Sequence, residues 1–310
     1  MKLLALLIGL VIERLATRFF HLRELRWFDR LIDGGFRQAA KLHRWPALIP
    51  VLLLAIVLVL PVLLIRLSLG DSLFGFPYLF LAVFVLFFSL GPKDIGEDID
   101  EYCGALEAGD EDRINASTKA MTEAELPSDF AERTQCFEEA VCIQANNRLF
   151  GVIFWFVVLG PVAAWTYRVT DLMRRRAVFN ASRDASPKDG ELASSDAGDR
   201  MLHAAGQLHG WLAWIPARLT AIGFGLAGSY NSARSAWRAS GENHDLTLSE
   251  HSEQLLARVG TASLDLHKLE GESDAERAVR GATAANGMVF RLLFIWAAII
   301  AAMTLYGWSV

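Results

Sequence analysis

The stretch "CIQANNRLFGVIFWFVVLGPVAAWTYRVTDLMRRR", residues 142–176, decides how this chain is arranged. Two asparagines and an arginine open an apolar run of about 20 residues, the length that crosses a bilayer. A Gly-Pro pair interrupts the run, and three consecutive arginines close it. The run is a crossing, a hairpin or the wall of a ligand site. The break at Gly160 and Pro161 divides it into halves of about 15 Å each at about 1.5 Å per residue, too short to cross singly. Halves of that length suit a re-entrant helical hairpin, provided the broken backbone is buried in protein.

The rest of the sequence sets the surroundings of that run. Of the 310 residues 53% are hydrophobic, and the mean hydropathy is +0.29, which places the chain among membrane proteins. The start, residues 1–12, is a short apolar run behind one lysine. It meets Glu13 and Arg14 with no small-residue cleavage site, so it is expected to stay as an anchor or as the first half of a helix continuing to Phe20. Cys103, Cys136 and Cys142 lie in one acidic stretch, and their odd number and wide spacing suit neither a disulfide framework nor a metal motif. They read as reduced and structural. The net charge of -5 hides an asymmetry: Arg14, Arg18, Arg23, Arg26, Arg30, Arg37, Lys41 and Arg44 precede the first long apolar run, whereas Lys93 to Asn147 is strongly acidic.

Four stretches approach membrane length: Trp45 to Ile65, Ser72 to Leu90, Leu149 to Tyr167 and Met288 to Trp308. The first two are joined by "RLSLGD", a tight turn, and form an antiparallel pair; Pro50 and Pro61 are tolerated because lipid-buried helices re-satisfy freed backbone groups locally. The basic segment before Trp45 resists translocation and stays cytoplasmic, which returns the chain to the cytoplasm at Pro92. The cluster Arg174 to Arg176 prefers the same side, so both ends of the opening run share one face. The fold expected is an all-α integral membrane protein: a helical bundle of about four transmembrane segments with one re-entrant hairpin, plus cytoplasmic helices.

Seven regions follow. Residues 1–44 are an N-terminal anchor and basic amphipathic segment, 45–91 the transmembrane helical hairpin, and 92–147 an acidic cytoplasmic helical segment. Residues 148–179 are the Gly-Pro-broken membrane segment with its basic end, and 180–206 a mobile linker. Residues 207–289 form an amphipathic, interfacial helical region and 290–310 the C-terminal transmembrane helix. Within the acidic segment Phe130, Thr134, Phe137, Val141 and Gln144 recur at helical spacing, with Ser128 as N-cap. Glu138 and Glu139 lack metal-loop spacing and read as a solvated helical face. Leu208 to Tyr230 is apolar but carries His209, Pro216 and Arg218; the cost of an arginine at mid-bilayer, about 3 kcal/mol, favours a helix in the interface or packed on the bundle, with Arg218 paired. "SDAE", residues 273–276, fits a capping box that starts the last helix.

Several functions are disfavoured. Phosphate-binding glycine loops, HExxH pairs and GxSxG elbows are missing from the sequence, and Gly223 and Gly225 in "GFGLAG" follow no strand. Nucleic-acid binding is not expected, because the basic N-terminal stretch abuts membrane, where anionic lipid is the nearer partner.

Four pieces bring a family into view: "ERL" at Glu13 to Leu15, "NNRLFGVIFWFVVLGPV" from Asn146, "WIPARLTA" at Trp214 to Ala221, and the terminal "TLYGWSV". In this order they resemble the AmpE family, inner-membrane proteins associated with β-lactamase regulation. The chain is similar more remotely to the CobD/CbiB membrane enzymes of cobalamin biosynthesis. Those enzymes carry Glu-Asn-x-x-Asp before the corresponding apolar stretch and Asn-x-Leu-Asp-Ser-Met after it. Here the positions read Asn146, Asn147 and Phe150, then Asp171, Met173 and Arg174, so an aromatic and a base replace two acids. Joining an amine to a carboxylate with a nucleotide needs carboxylates to hold a divalent ion against phosphate.

The resemblance therefore implies a regulatory, signalling protein of the bacterial inner membrane that is not an enzyme and takes no cofactor or metal, acting in β-lactamase induction and antibiotic resistance. The alternative is a CobD/CbiB-like amide ligase with a divergent site. Candidate ligand-binding residues are Asn146, Asn147, Arg218, Asp171 and Glu139. The opposing reading makes Asn147 a bridge between helices and pairs Arg218 with Asp171. Partners implied are the lipid bilayer, a cell-wall-derived or corrinoid ligand, and a second copy in a homodimer, with no nucleic acid. Transport ranks last, because four spans with few buried polar residues make a poor translocation path.

Overall fold

The computed structural model describes residues 26–42, 44–69, 76–90, 94–122, 126–185, 195–241, 246–267 and 269–306. The expected N-terminal anchor, with the "ERL" at Glu13 to Leu15, lies outside the described residues, as do residues 70–75 of the expected turn between the first two spans.

Every regular element among the described residues is a helix. The first, α1 (Arg26–Lys41), buries Phe28, Ile32, Phe36 and Ala39, one stripe at helical spacing. Next come α2 (Leu48–Leu69), with Pro61 in its interior, and the shorter α3 (Phe76–Ser89). Both are apolar all round and leave Val57, Leu64, Phe80 and Phe84 exposed, the pattern of a helix facing lipid. α4 (Ile95–Ala108) starts on Asp94, whose carboxylate accepts the Gly96 N–H at 3.2 Å, and ends on Gly109 at φ 65°. α5 (Glu111–Thr122) follows.

The opening stretch builds the centre of the molecule. α6 (Phe130–Ala145) is capped by Asp129, which accepts the Glu132 N–H at 3.1 Å. The cap is therefore one residue later than the expected Ser128. α6 continues through a single π turn, Asn146–Phe150, into α7 (Gly151–Leu159), giving an unbroken rod from Phe130 to Leu159. The rod ends at Gly160, whose φ of 91° and ψ of -167° belong to a region reserved for glycine. Its N–H still bonds to the Phe156 carbonyl at 2.9 Å, and Pro161, lacking an N–H, opens α8 (Pro161–Ala185) at the position where none is required. The chain folds back there. A β-carbon on Gly151 would fall on the Tyr167 ring, so glycine at the base of α7 lets α8 return against it.

Four further helices close the bundle: α9 (Ser195–Ala227), α10 (Tyr230–Ala239), α11 (Leu248–Leu264) and α12 (Asp274–Leu305). Complete capping boxes, Thr247 with Glu250 and Ser273 with Glu276, start α11 and α12. The stretch 180–206, expected as one linker, is helical wherever it is described: α8 runs to Ala185 and α9 starts at Ser195, and residues 186–194 lie outside the described residues. α9 is held there by burial of Met201, Ala204, Ala205 and Leu208.

Among the described residues three helices are long and apolar enough to cross a membrane: Leu48–Leu69, Phe130–Leu159 and Asp274–Leu305. The chain is an all-α membrane protein. Its hairpin of α7 and α8 packs with α3 and α12 around Leu86, Phe156, Ala164 and Ile300. A second core gathers α1, α2, α8 and the start of α9. The third and largest joins α4, α6, the end of α9, α11 and the first half of α12, away from the hairpin tip. Arg66 stacks over the Tyr78 ring at 4.8 Å, and the Tyr78 hydroxyl lies beside Gly160. The end of α2, the start of α3 and the hairpin tip thus share one level.

Candidate functional site

At the other end of the hairpin, about 20 Å from its tip at about 1.5 Å per residue, lies a layer of buried polar side chains. The π turn inserts one residue into the helical register, and such insertions bring adjacent side chains toward one point. Here Asn146 and Asn147 are both turned inside. The Asn146 amide donates to Asn147 Oδ1 at 3.1 Å and to the Tyr167 hydroxyl at 3.4 Å, while its Oδ1 accepts from the Thr220 hydroxyl at 3.0 Å. Tyr167 in turn donates to Asn147 Oδ1 at 3.4 Å. This knot ties the rod to α8 and α9, and burial without such partners would cost about 1–3 kcal/mol per group.

One turn further along α8 the layer becomes ionic. Asp171 is fully buried, with Arg168 Nη1 on one oxygen at 2.8 Å and Arg174 Nη2 on the other at 3.3 Å. Arg174 also reaches Glu253 of α11 at 3.1 Å. Between the two groups Thr170 donates to the Tyr167 carbonyl at 2.8 Å, and its hydroxyl lies 3.5 Å from His209 Nδ1. The His209 ring packs against Tyr167 with centroids 5.1 Å apart. Opposite charges satisfy the costly ions here, the usual condition for burying charge.

Two flanking contacts fix the layer's edges. Arg148, the residue after the asparagines, donates to Gln144 at 2.9 Å and to Asp98 of α4 at 2.8 Å. Arg176 and Asn180 hold Asp33 of α1, at 2.7 Å from Nε and 3.1 Å from Nδ2. The hydrogen bond from Arg176 holds the Asp33 carboxyl below the usual carboxylate range.

The layer brings Asn146, Asn147 and Asp171 together through Tyr167. Glu139 and Arg218 lie elsewhere. Glu139, half-buried on α6, accepts from Gln135 at 2.8 Å. The expected pairing of Arg218 with Asp171 is replaced: Arg218 donates to the Trp214 carbonyl at 3.0 Å and stacks over the Trp214 ring at 4.0 Å, on the outward face of α9. The reading of Glu138 as solvated is corrected too. Glu138 is 4% exposed and receives Arg277 Nη1 at 2.6 Å, because helical spacing from Phe130 and Thr134 turns it inward.

Tyr167, Arg168, Thr220 and Glu253 escaped the sequence reading. A signal for part of the set exists: Tyr167, Thr170, Asp171 and Arg174 recur at i, i+3, i+4 and i+7, a polar stripe on one face of α8. Thr220 and Glu253 offer no such pattern. Chemically the layer is a cross-brace: its carboxylates face guanidinium groups, and among the described residues no three His, Cys, Asp or Glu side chains converge as a metal site.

The family model described as "Regulatory signalling modulator protein AmpE" matches residues 1–310. No curated protein matches the chain, and no solved structure does.

Proposed function

The chain belongs over its whole length to the AmpE family of regulatory signalling modulators, and from that premise we propose that it modulates β-lactamase induction from the bacterial inner membrane without catalysing a reaction. The observation that carries this reading is the arginine clamp on Asp171. Arg174 occupies the position where the resemblance to the CobD/CbiB enzymes calls for an acid. In this fold its guanidinium bridges Asp171 and Glu253. A carboxylate engaged on both oxygens by arginines has little left with which to hold a divalent ion against a phosphate. What the layer offers instead is stiffness: three helices locked together at the level where the hairpin enters the bundle.

Orientation follows from charge. Arg30, Arg37, Arg44 and the run Arg174 to Arg176 lie next to the membrane-entering helices in the chain, and such basic flanks support a cytoplasmic polar layer with α4 to α6 on the same side. α9 lies in the interface on this reading, its exposed Trp211, Trp214, Ile215 and Ile222 toward lipid and Arg218 drawn back along Trp214.

The test is genetic. In a strain with an inducible β-lactamase, deletion of the gene changes the induced rate of chromogenic β-lactam hydrolysis, and a plasmid copy restores it. An Asp171→Asn, Arg174→Asp copy, which reinstates an acid and unlocks the clamp, fails to restore it. Induction that is indifferent to the deletion sinks the proposal.

A further inference from the structure

The outward face of α1 is patterned as closely as its buried one. Trp27 and Leu31 are exposed at 59% and 48%, and Arg30, Arg37 and Lys41 are exposed as well. Taken round the helix at about 100° per residue, the buried stripe of Phe28, Ile32 and Phe36 is followed by Asp29 and Asp33, then by Arg37, Arg30 and Lys41, then by Trp27 and Leu31. Gly35 closes the circle, between Leu31 and the buried stripe. A β-carbon there would fall on the Leu54 side chain of α2, so α2 runs along the edge of α1 that adjoins Trp27 and Leu31.

The charges of the helix are sorted by face. Both of its carboxylates turn toward α8, where Asp33 takes the Arg176 guanidinium, 2.7 Å from Nε, and Asp29 adds its field to the same group. The outer cations therefore form a stripe of one sign, within about 40° of arc. Beside it, the exposed apolar stripe continues past the helix end in Leu42 and Trp45, exposed at 46% and 57%. α2 then begins at Leu48 and exposes Leu53 and Ile56, part of its lipid-facing surface. Cations and apolar side chains thus run side by side along α1, with the apolar stripe on the α2 side.

We infer that the outward face of α1 binds anionic phospholipid at the membrane surface, with headgroup phosphates on Arg30, Arg37 and Lys41 and the glycerol and upper acyl region against Trp27 and Leu31. Cations clustered next to a spanning helix attract anionic headgroups, and an interfacial helix adds apolar burial to that attraction. A soluble polyanion would engage the cations and leave Trp27 and Leu31 in water. A zwitterionic headgroup would bring an ammonium against three cations. An amphiphile with a net negative head satisfies both stripes, and the lipid-facing side of α2, continuous with the apolar stripe, meets such molecules in the bilayer. Because Asp33 fastens α1 to α8, bound headgroups bear on the hairpin that α8 completes. The inference rests on the fold and is independent of β-lactamase regulation and of which leaflet is engaged.

The test uses the full chain in micelles of a non-ionic detergent, titrated with phosphatidylglycerol and followed by thermal unfolding. Phosphatidylglycerol raises the melting temperature saturably; phosphatidylcholine does not, and neither does glycerol 3-phosphate, the headgroup anion without acyl chains. Raising salt from about 0.05 M to about 0.5 M moves the midpoint to higher lipid, because exposed charges are screened, and this measurement needs no variant. The triple variant Arg30→Gln, Arg37→Gln, Lys41→Gln melts as the parent does without lipid and needs at least roughly tenfold more phosphatidylglycerol for half the shift. Arg234→Gln with Arg238→Gln, on the exposed side of α10, leaves the titration unchanged. A flat response to phosphatidylglycerol, an equal response to phosphatidylcholine, a shift from glycerol 3-phosphate alone, a midpoint indifferent to salt, or a triple variant that titrates like the parent overturns the inference. So does a dimer in lipid-free micelles that the triple substitution dissociates, which would give this face to a second copy.

Discussion

Asp33 closes a joint between segments distant in the chain, and Glu272 closes a local one. Asp33 fastens α1 to α8 through Arg176, and Glu272 anchors the entry to α12 by accepting from Arg280 at 2.6 Å and from the Leu269 N–H at 3.0 Å. Arg176 lowers the Asp33 carboxyl below its usual value, and Arg280, with help from the Leu269 N–H, lowers Glu272 to about 2. A carboxyl whose folded value is depressed stabilises fully above its unfolded value and loses that contribution as pH falls through the folded one. The melting temperature in detergent is therefore expected to be flat between about pH 7 and 5 and to fall below about pH 4. Asp33→Asn removes part of that acid-dependent fall; an identical acid limb in the variant would show that the joint does not hold the native state. Single residues also mark what a sequence discloses. Asn146, Asn147 and Asp171 stand out because polar groups beside an apolar run are costly unless used. Glu138 does not stand out, because a glutamate on a polar helix reads as solvated until its partner, Arg277, is known to meet it from far along the chain.

The hairpin of α7 and α8 is the element on which the bundle is organised, and its turn rests on one backbone conformation. Gly160→Ala places a β-carbon at a φ of 91°, which costs about 1–3 kcal/mol. Gly34→Ala is the matched comparison: Gly34 lies inside α1 with nothing within 4 Å of an added β-carbon, so it gains up to about 1 kcal/mol from helix propensity. Thermal unfolding of the two variants is expected to shift in opposite directions, and a Gly160→Ala protein as stable as the parent would mean that the turn relaxes without strain. The Gly-Pro break was legible in the sequence because proline and glycine act locally, within the turn they form. The extents of α8 and α9 were not. "AVFNASRDA" and the residues after Ser195 lack a long apolar stripe, and they are helical because Asp33 receives Arg176 and Asn180 and because Met201 and Leu208 are buried in the second core. Such contacts are tertiary and leave little trace in a local window.

At the scale of the whole molecule, the spanning helices and the hairpin share one polarity. The tip at Gly160 sits level with Arg66 and Tyr78, whereas both hairpin bases sit at the polar layer with α4 to α6 behind them. On the proposed orientation the hairpin bases face the cytoplasm, the side that the N-terminal and post-hairpin arginines favour, and Arg66, at the end of an apolar helix, reaches for the headgroups of the far interface. A chain that dips and returns puts Asp110, before the rod, and Arg183, near the end of α8, on the same side. A chain that crosses once at residues 149–167 would put them on opposite sides. The distinction is measurable by placing single cysteines at Ser68, Asp110 and Arg183 in a background where Cys103, Cys136 and Cys142 are replaced, and labelling with a membrane-impermeant maleimide. In intact spheroplasts the position at Ser68 labels while those at Asp110 and Arg183 do not; in inverted vesicles the pattern reverses. Labelling at Arg183 from outside with Asp110 protected would make the run a crossing, and the glycine turn at residue 160 would then be a kink in a spanning helix rather than the floor of a hairpin.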